Sequence, residues 1–181
     1  FMQRTHIGTV FEVCLKPDAS YMAYTSPSNL PFHTDLPALC DPPQLQMLHM
    51  LVPAPSGGNS LFVDGFRVAN QMRVECPREF ELLCNFSCEY IEEGYDEHTG
   101  TNGNHETFFH NMAARHRTFK VDHEGRVVKV HFGDDKRSWF YDCEPAMIQD
   151  VYRALRLFTD YCYQERNLFK ITLKQGDTVM R

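Results

Sequence analysis

What most constrains the fold of this chain is the way its apolar residues are parcelled. They fall into short runs closed by glycine, proline, asparagine or aspartate, and only one stretch sustains a helical period for long. Residues 45–52 and 61–63 read as buried strands, joined through a turn with Gly57-Gly58 at its tip into a hairpin. Residues 6–14 and 21–25 read as strands from their β-branched and aromatic content. A second hairpin is expected where 119–122 and 126–132 flank the His123-Glu124-Gly125 turn, and 169–173 reads as a further strand. Helices are expected at about 66–75, with Phe66, Val68, Ala69 and Met72 on the apolar side, and in a short segment after Pro77 carrying Phe80 and Leu83. The sustained helix covers about 145–164, where Met147, Ile148, Val151, Leu155, Phe158 and Cys162 recur at three- and four-residue spacing. Short strands and three helices without strand–helix alternation predict a mainly β sandwich or barrel with flanking helices.

Residues 89–117 fit neither pattern. Gly94, Gly100 and Gly103 lie there among Asn, Glu, Asp and the histidines 98, 105, 110 and 116. The stretch reads as a surface loop or, alternatively, as a lid carrying a ligand.

A length of 181 residues, with 43% hydrophobic and 13% aromatic residues, is that of one domain with a sizeable core. The net charge of −6, with no dense basic cluster, argues against nucleic acid as a partner. No apolar run approaches the roughly eighteen residues of a membrane span, and no signal-peptide pattern opens the chain. The seven cysteines are odd in number and scattered; Cys84 and Cys88 lie four apart, but no second pair completes a zinc site. They read as reduced thiols of an intracellular, cytoplasmic enzyme. Gly176-Asp177 followed by Thr178-Val179 reads as a turn entering a strand, so a domain cut short at both ends is expected.

The chemistry centres on His33-Thr34-Asp35. In extended chain, alternate side chains share a face, so His33 and Asp35 project into one space. A nitrogen and an oxygen donor so presented are two corners of a 2-His-1-carboxylate triad, which holds Fe(II) and leaves positions open. Alone the pair is a weak signal, because His-x-Asp also arises in solvated loops.

Its context is specific. His33-Thr34-Asp35-Leu36-Pro37-Ala38-Leu39, Pro42-Pro43, Gln46-Met47-Leu48-His49, Gly57-Gly58-Asn59-Ser60 and Val63-Asp64-Gly65-Phe66 follow in order at close spacing, with Val127 to Phe132 and Lys174-Gln175-Gly176-Asp177 behind them. This ordered set resembles the gamma-butyrobetaine/trimethyllysine hydroxylase family of Fe(II)/2-oxoglutarate dioxygenases along nearly the whole chain. The resemblance implies a double-stranded β-helix (jelly-roll) core, incomplete here at its C-terminus. It assigns iron ligands to His33 and Asp35, and the third ligand, a histidine, together with a 2-oxoglutarate-binding arginine, to positions beyond the chain end. It gives Ser60 a hydroxyl contact to a 2-oxoglutarate carboxylate and places Leu48 in the cosubstrate pocket. Tyr24 and Phe11 match walls of an aromatic cage for a trimethylammonium group, a cation that binds π faces because it has no hydrogen to donate.

The implied activity is hydroxylation of gamma-butyrobetaine to L-carnitine, with O2 and 2-oxoglutarate consumed, succinate and CO2 released, and ascorbate as reductant. The alternative is trimethyllysine dioxygenase, for which a mitochondrial location is expected; Leu36-Pro37-Ala38-Leu39 and Pro42-Pro43 favour the former. A non-catalytic jelly-roll binding module is the alternative if Arg181 is the natural end. The partners implied are a small quaternary ammonium substrate and O2, without nucleic acid or membrane, and with a homodimer allowed. Departures at Ile7, Tyr21, Leu36 and Gly133-Asp134 stand where the family has cage and substrate-carboxylate residues, and they bear on the substrate rather than on the chemistry.

Overall fold

The framework is a trio of helices packed under two strands and a loop. In the computed structural model, which describes residues 5–14, 29–99, 105–141 and 143–181, α1 is Gly65–Glu75, α2 Pro77–Asn85 and α3 Ile148–Cys162. Asp64 starts α1: its Oδ1 accepts hydrogen bonds from the amides of Phe66 and Arg67, both at 3.0 Å, satisfying donors that the first helical turn leaves unpaired. Pro77 occupies the first turn of α2, where its missing amide proton costs nothing. α3 buries Val151, Ala154, Leu155, Phe158 and Cys162, the stripe expected from its spacing, whereas Met147 falls in a preceding 3-10 turn and is exposed. Val68, Ala69 and Met72 of α1 and Phe80, Leu83 and Cys84 of α2 complete the helical side of the core. Phe158 stands edge-on to two rings at once, Phe119 at 5.1 Å and Phe132 at 5.0 Å.

The strands are β1 Met47–His49, β2 Asn59–Val63, β3 Ser87–Thr99, β4 His105–Arg117, β5 Phe119–Val121, β6 Val127–Val130, β7 Leu168–Thr172 and β8 Thr178–Met180. They form four antiparallel pairs, β1–β8, β2–β7, β3–β4 and β5–β6, and the described residues contain no closed barrel. The expected second hairpin is present as β5–β6, with Gly125 at a φ of +78° in its turn. The expected first hairpin is not. Gly57 and Gly58 do form a turn, with φ of +71° and +66°, but the chain on either side of it pairs elsewhere: β1 with β8 and β2 with β7. Nor are those strands buried; Leu45, Met47, Leu51, Val52 and Leu61 are exposed. The expected strand at 6–14 reduces to a bridge between Thr5 and Gly8, and 11–14 is irregular.

Residues 89–99 and 105–117, expected within a loop, belong to the longest regular feature among the described residues. β3 and β4 pair without interruption from Ser87 opposite Arg117 to Thr99 opposite His105. At its base the ribbon joins the core through Cys88, Tyr90 and Ala114, and further out its aromatic residues Tyr95 and Phe109 are exposed, so no buried face imposes an apolar alternation on it. All seven cysteines are free thiols.

Candidate metal centre

His33 and Asp35 sit in irregular chain, not in the strand expected for them, yet their side chains converge: His33 Nε2 lies 3.0 Å from Asp35 Oδ1. The intervening residue produces the convergence. Thr34 donates its amide to the Phe132 carbonyl at 2.7 Å, while its hydroxyl donates to the same carbonyl at 3.2 Å and accepts from the Phe132 amide at 3.0 Å. Thr34 is thereby fastened to a residue whose ring is locked against α3, and its neighbours turn to the opposite side. Further along, Ala38 is buried and His116 donates Nε2–H to the Leu39 carbonyl at 2.8 Å. Between these anchors Leu36 adopts a φ of +55°, a left-handed conformation that costs a non-glycine residue about 1–2 kcal/mol and is tolerated where surrounding contacts over-determine the chain.

The ring nitrogens of His33 are distinguishable. Nδ1–H donates to the Pro31 carbonyl at 2.8 Å, so Nε2 carries the lone pair in the neutral ring. Without a metal, Nε2 must be protonated to bond Asp35; that bond, opposed by burial, raises the His33 pKa above its ordinary value. The second carboxylate oxygen of Asp35 accepts from Arg181 Nη2 at 2.6 Å. Arg181 also donates Nε–H to Gln46 Oε1 at 3.0 Å and exchanges backbone bonds with Gln46 at the end of the β1–β8 pair.

The donor set fits a metal ion. Two ligand atoms set at right angles around an ion at about 2.1 Å lie roughly 3 Å apart, which is the Nε2–Oδ1 separation found. Each ligand has an outer partner, Pro31 for the imidazole and Arg181 for the carboxylate, of the kind that fixes tautomer and orientation at metal sites. The ion would take the place of the proton now shared between His33 and Asp35.

The other expected site residues are distributed around this pair. Leu48 lies on β1, two residues from Gln46 and opposite Val179, and His49 beside it bonds Thr178 Oγ1 through Nδ1 at 2.8 Å. Ser60 is on β2, opposite Ile171 of β7, and thus belongs to a different strand pair from Leu48. Phe11 is 37% exposed in irregular chain. Tyr24 and Tyr21 lie outside the described residues. Gly133 packs beside the pair; a β-carbon there would lie 3.9 Å from His33 Cβ and 3.8 Å from Pro37 Cγ. Sequence reasoning missed the contact of Arg181 with Asp35 and the hold of Gln46 on Arg181, which depend on a pairing that no local pattern announces.

A second group of candidate ligands stands apart from His33 and Asp35: one donor atom each of His6, Glu92 and His110 lies within 4.8 Å of the other two. Among the described residues, no helix is long and apolar enough to cross a membrane.

Comparison with known proteins places the chain among dioxygenases. The chain is 30% identical to human gamma-butyrobetaine dioxygenase over 179 residues, 99% of this chain and 43% of that protein. It is 33% identical to the gamma-butyrobetaine dioxygenase of Pseudomonas sp. strain AK-1 over 176 residues, covering 97% and 42%. With the trimethyllysine dioxygenase of Meyerozyma guilliermondii it shares 26% over 181 residues, covering 99% and 43%. The chain thus spans less than half the length of these relatives. The family model described as taurine catabolism dioxygenase TauD, TfdA family matches residues 2–181, and the chain belongs to that dioxygenase family.

Proposed function

We propose that these residues form part of the catalytic domain of an Fe(II)/2-oxoglutarate-dependent hydroxylase acting on gamma-butyrobetaine or a closely related trimethylammonium compound. The observation that carries the reading is the 3.0 Å convergence of His33 Nε2 and Asp35 Oδ1, with Nδ1 tied back to Pro31. Bound there, iron would supply O2 activation coupled to oxidative decarboxylation of 2-oxoglutarate, ending in hydroxylation of the substrate carbon. The chain's own contribution is positional. His33 offers its lone pair once the proton shared with Asp35 is released, and Arg181 occupies Oδ2, so that Asp35 presents Oδ1 alone. The third ligand is assigned to a histidine beyond residue 181. Ser60 and Leu48 are assigned to 2-oxoglutarate, and Phe11 and Tyr24 to the cage around the quaternary ammonium, each π face worth about 0.5–2 kcal/mol. Ile7, where the family has a cage tyrosine, removes one such face and points to a substrate whose binding leans less on the cage. Over nearly the whole chain, the 30% and 33% identity to the two gamma-butyrobetaine dioxygenases against 26% to the Meyerozyma trimethyllysine dioxygenase supports the first of these substrates.

The test is His33→Ala and Asp35→Ala in the full-length protein. Each should abolish substrate-dependent succinate release while leaving the melting temperature within a few degrees of the parent, since both side chains sit a fifth to a quarter exposed and outside the core. Succinate formation at the parent rate by either variant would refute the assignment.

A further inference from the structure

The group formed by His6, Glu92 and His110 is built by the fold rather than assembled by surface chance. Glu92 and Gly94 alternate onto one face of β3, and His110 stands opposite Gly94 on β4, diagonal to Glu92 and within reach of it. The glycine makes room for the ring: a β-carbon at position 94 would already lie 3.6 Å from His110 Cε1 and 3.7 Å from Nε2. His6 arrives from a different part of the chain, at the tip of a turn closed by two backbone bonds between Thr5 and Gly8, at 3.1 and 3.0 Å, and by the Thr5 hydroxyl on the Gly8 carbonyl at 2.9 Å. Its ring lies against that of His110, centroids 4.8 Å apart, and its Nε2 is 3.7 Å from Glu92 Oε2.

We propose that His6, Glu92 and His110 form a second metal site, separate from His33 and Asp35, for a borderline divalent cation of the Zn2+ type. Two imidazoles and one carboxylate suit Zn2+, Co2+, Ni2+ or Fe2+, whereas Ca2+ and Mg2+ require oxygen-rich sets and Cu+ prefers sulfur. Ligand atoms in a tetrahedral zinc site lie about 3.4 Å apart, so the His6–Glu92 spacing of 3.7 Å is already near that of a bound ion and the remaining closure is within side-chain rotation. Lys136 Nζ takes Oε1 at 3.1 Å and leaves Oε2 to the ion, the outer-partner arrangement that orients ligating carboxylates. With His6 only 8% exposed and Glu92 18%, the site is sheltered, and the ion's role is structural: it fastens the turn at residues 5–8 to the ribbon.

The inference stands independently of the iron assignment, and the experiment separates the two. In full-length protein carrying His33→Ala and Asp35→Ala, Co2+ is titrated and its visible absorption used to count bound equivalents, before and after adding His6→Ala, His110→Ala or Glu92→Gln. One equivalent should survive loss of the His33–Asp35 pair, and each further substitution should weaken it at least tenfold. Equal Co2+ uptake with and without His6 and His110 overturns the proposal, as does absence of uptake in the His33→Ala, Asp35→Ala background. Should a substitution unfold the chain, the histidine ring resonances of the protein with His6, Glu92 and His110 intact decide the matter. Addition of Co2+ should displace those of His6 and His110, and unmoved signals sink the idea.

Discussion

The β3–β4 ribbon keeps one register from Ser87 opposite Arg117 to Thr99 opposite His105, whereas residues 31–39 form no strand and rest on bonds to Phe132, His116 and Arg181. In the ribbon each ladder bond contributes a net of about 0.5–1.5 kcal/mol and repeats its neighbours, so loss of one cross-strand contact is absorbed by the rest. In the His33 segment the bonds to Phe132, His116 and Arg181 come from three separate parts of the chain, and no ladder repeats them. Redundancy gives the ribbon its persistence; the absence of redundancy lets a few groups fix two ligand atoms at a set separation, and makes that separation easy to lose.

The sharpest way to break the second region is from below. Phe158→Ala removes the ring that meets both Phe119 and Phe132, and should destabilise the protein by about 3–5 kcal/mol in denaturant unfolding. Because Phe132 carries Thr34, iron affinity should fall as well, in protein that is still folded. A cleaner cut is Thr34→Val, which keeps the shape and deletes the hydroxyl bonds to Phe132. Iron affinity, read from the Fe(II) dependence of succinate release, should drop by about 10–100-fold with little change in melting temperature; an unchanged Fe(II) requirement would show that the segment holds itself.

Acid probes the wall between the two regions. His131 stacks on His116 at 4.2 Å, and burial, with the His116, Lys129 and Lys120 charges, lowers its pKa to about 4 from an ordinary 6.5. The unfolded chain therefore takes up a proton that the folded chain refuses, and stability declines as pH falls through that window, by at most about 1.4 kcal/mol per pH unit. His131→Gln should flatten this acid limb in unfolding measured between pH 4 and 7. The smallest effect belongs to the ribbon: Arg115→Ala loses a half-exposed pair with Glu89 at 3.2 Å and a stacking contact over Phe140, and should cost under about 1 kcal/mol. A larger loss would mean that the ribbon is less redundant than its register suggests.

The helices were legible in the sequence because their information is local: a cap at Asp64, a proline at 77, and a stripe from Val151 to Cys162. Strand partners were not. The Gly57-Gly58 turn is real, but β1 and β2 each pair with strands more than a hundred residues away, and nothing within eight residues of sequence encodes that choice. The ribbon was hidden for a different reason. Past Tyr90 its two strands lean mainly on each other's backbone, with Met112 and the contacts to Lys136 and His6 reaching the rest of the chain, so sustained apolar alternation is not required of them. At the site, His33 and Asp35 stand out through the ordered motifs around them rather than through their spacing alone, and the convergence of their side chains comes from the grip on Thr34 and not from a strand. The reading of 89–117 as a loop or lid names His110 only as one of four histidines and offers no means to find Glu92 and His6 beside it.

Arg181 reaches Asp35 across 146 positions of sequence and Gln46 across 135. Contacts so distant in the chain close late, since the entropy of the intervening loop must be overcome before they return anything. The imidazole of His33, tied to a carbonyl two residues away, takes up its orientation early. The carboxylate gets its final orientation only after β1 and β8 have met. The two donors thus mature at different times, and an ion offered to a growing polypeptide finds one arm set and the other swinging. On the proposed iron assignment, metal binding at this pair would follow folding rather than guide it.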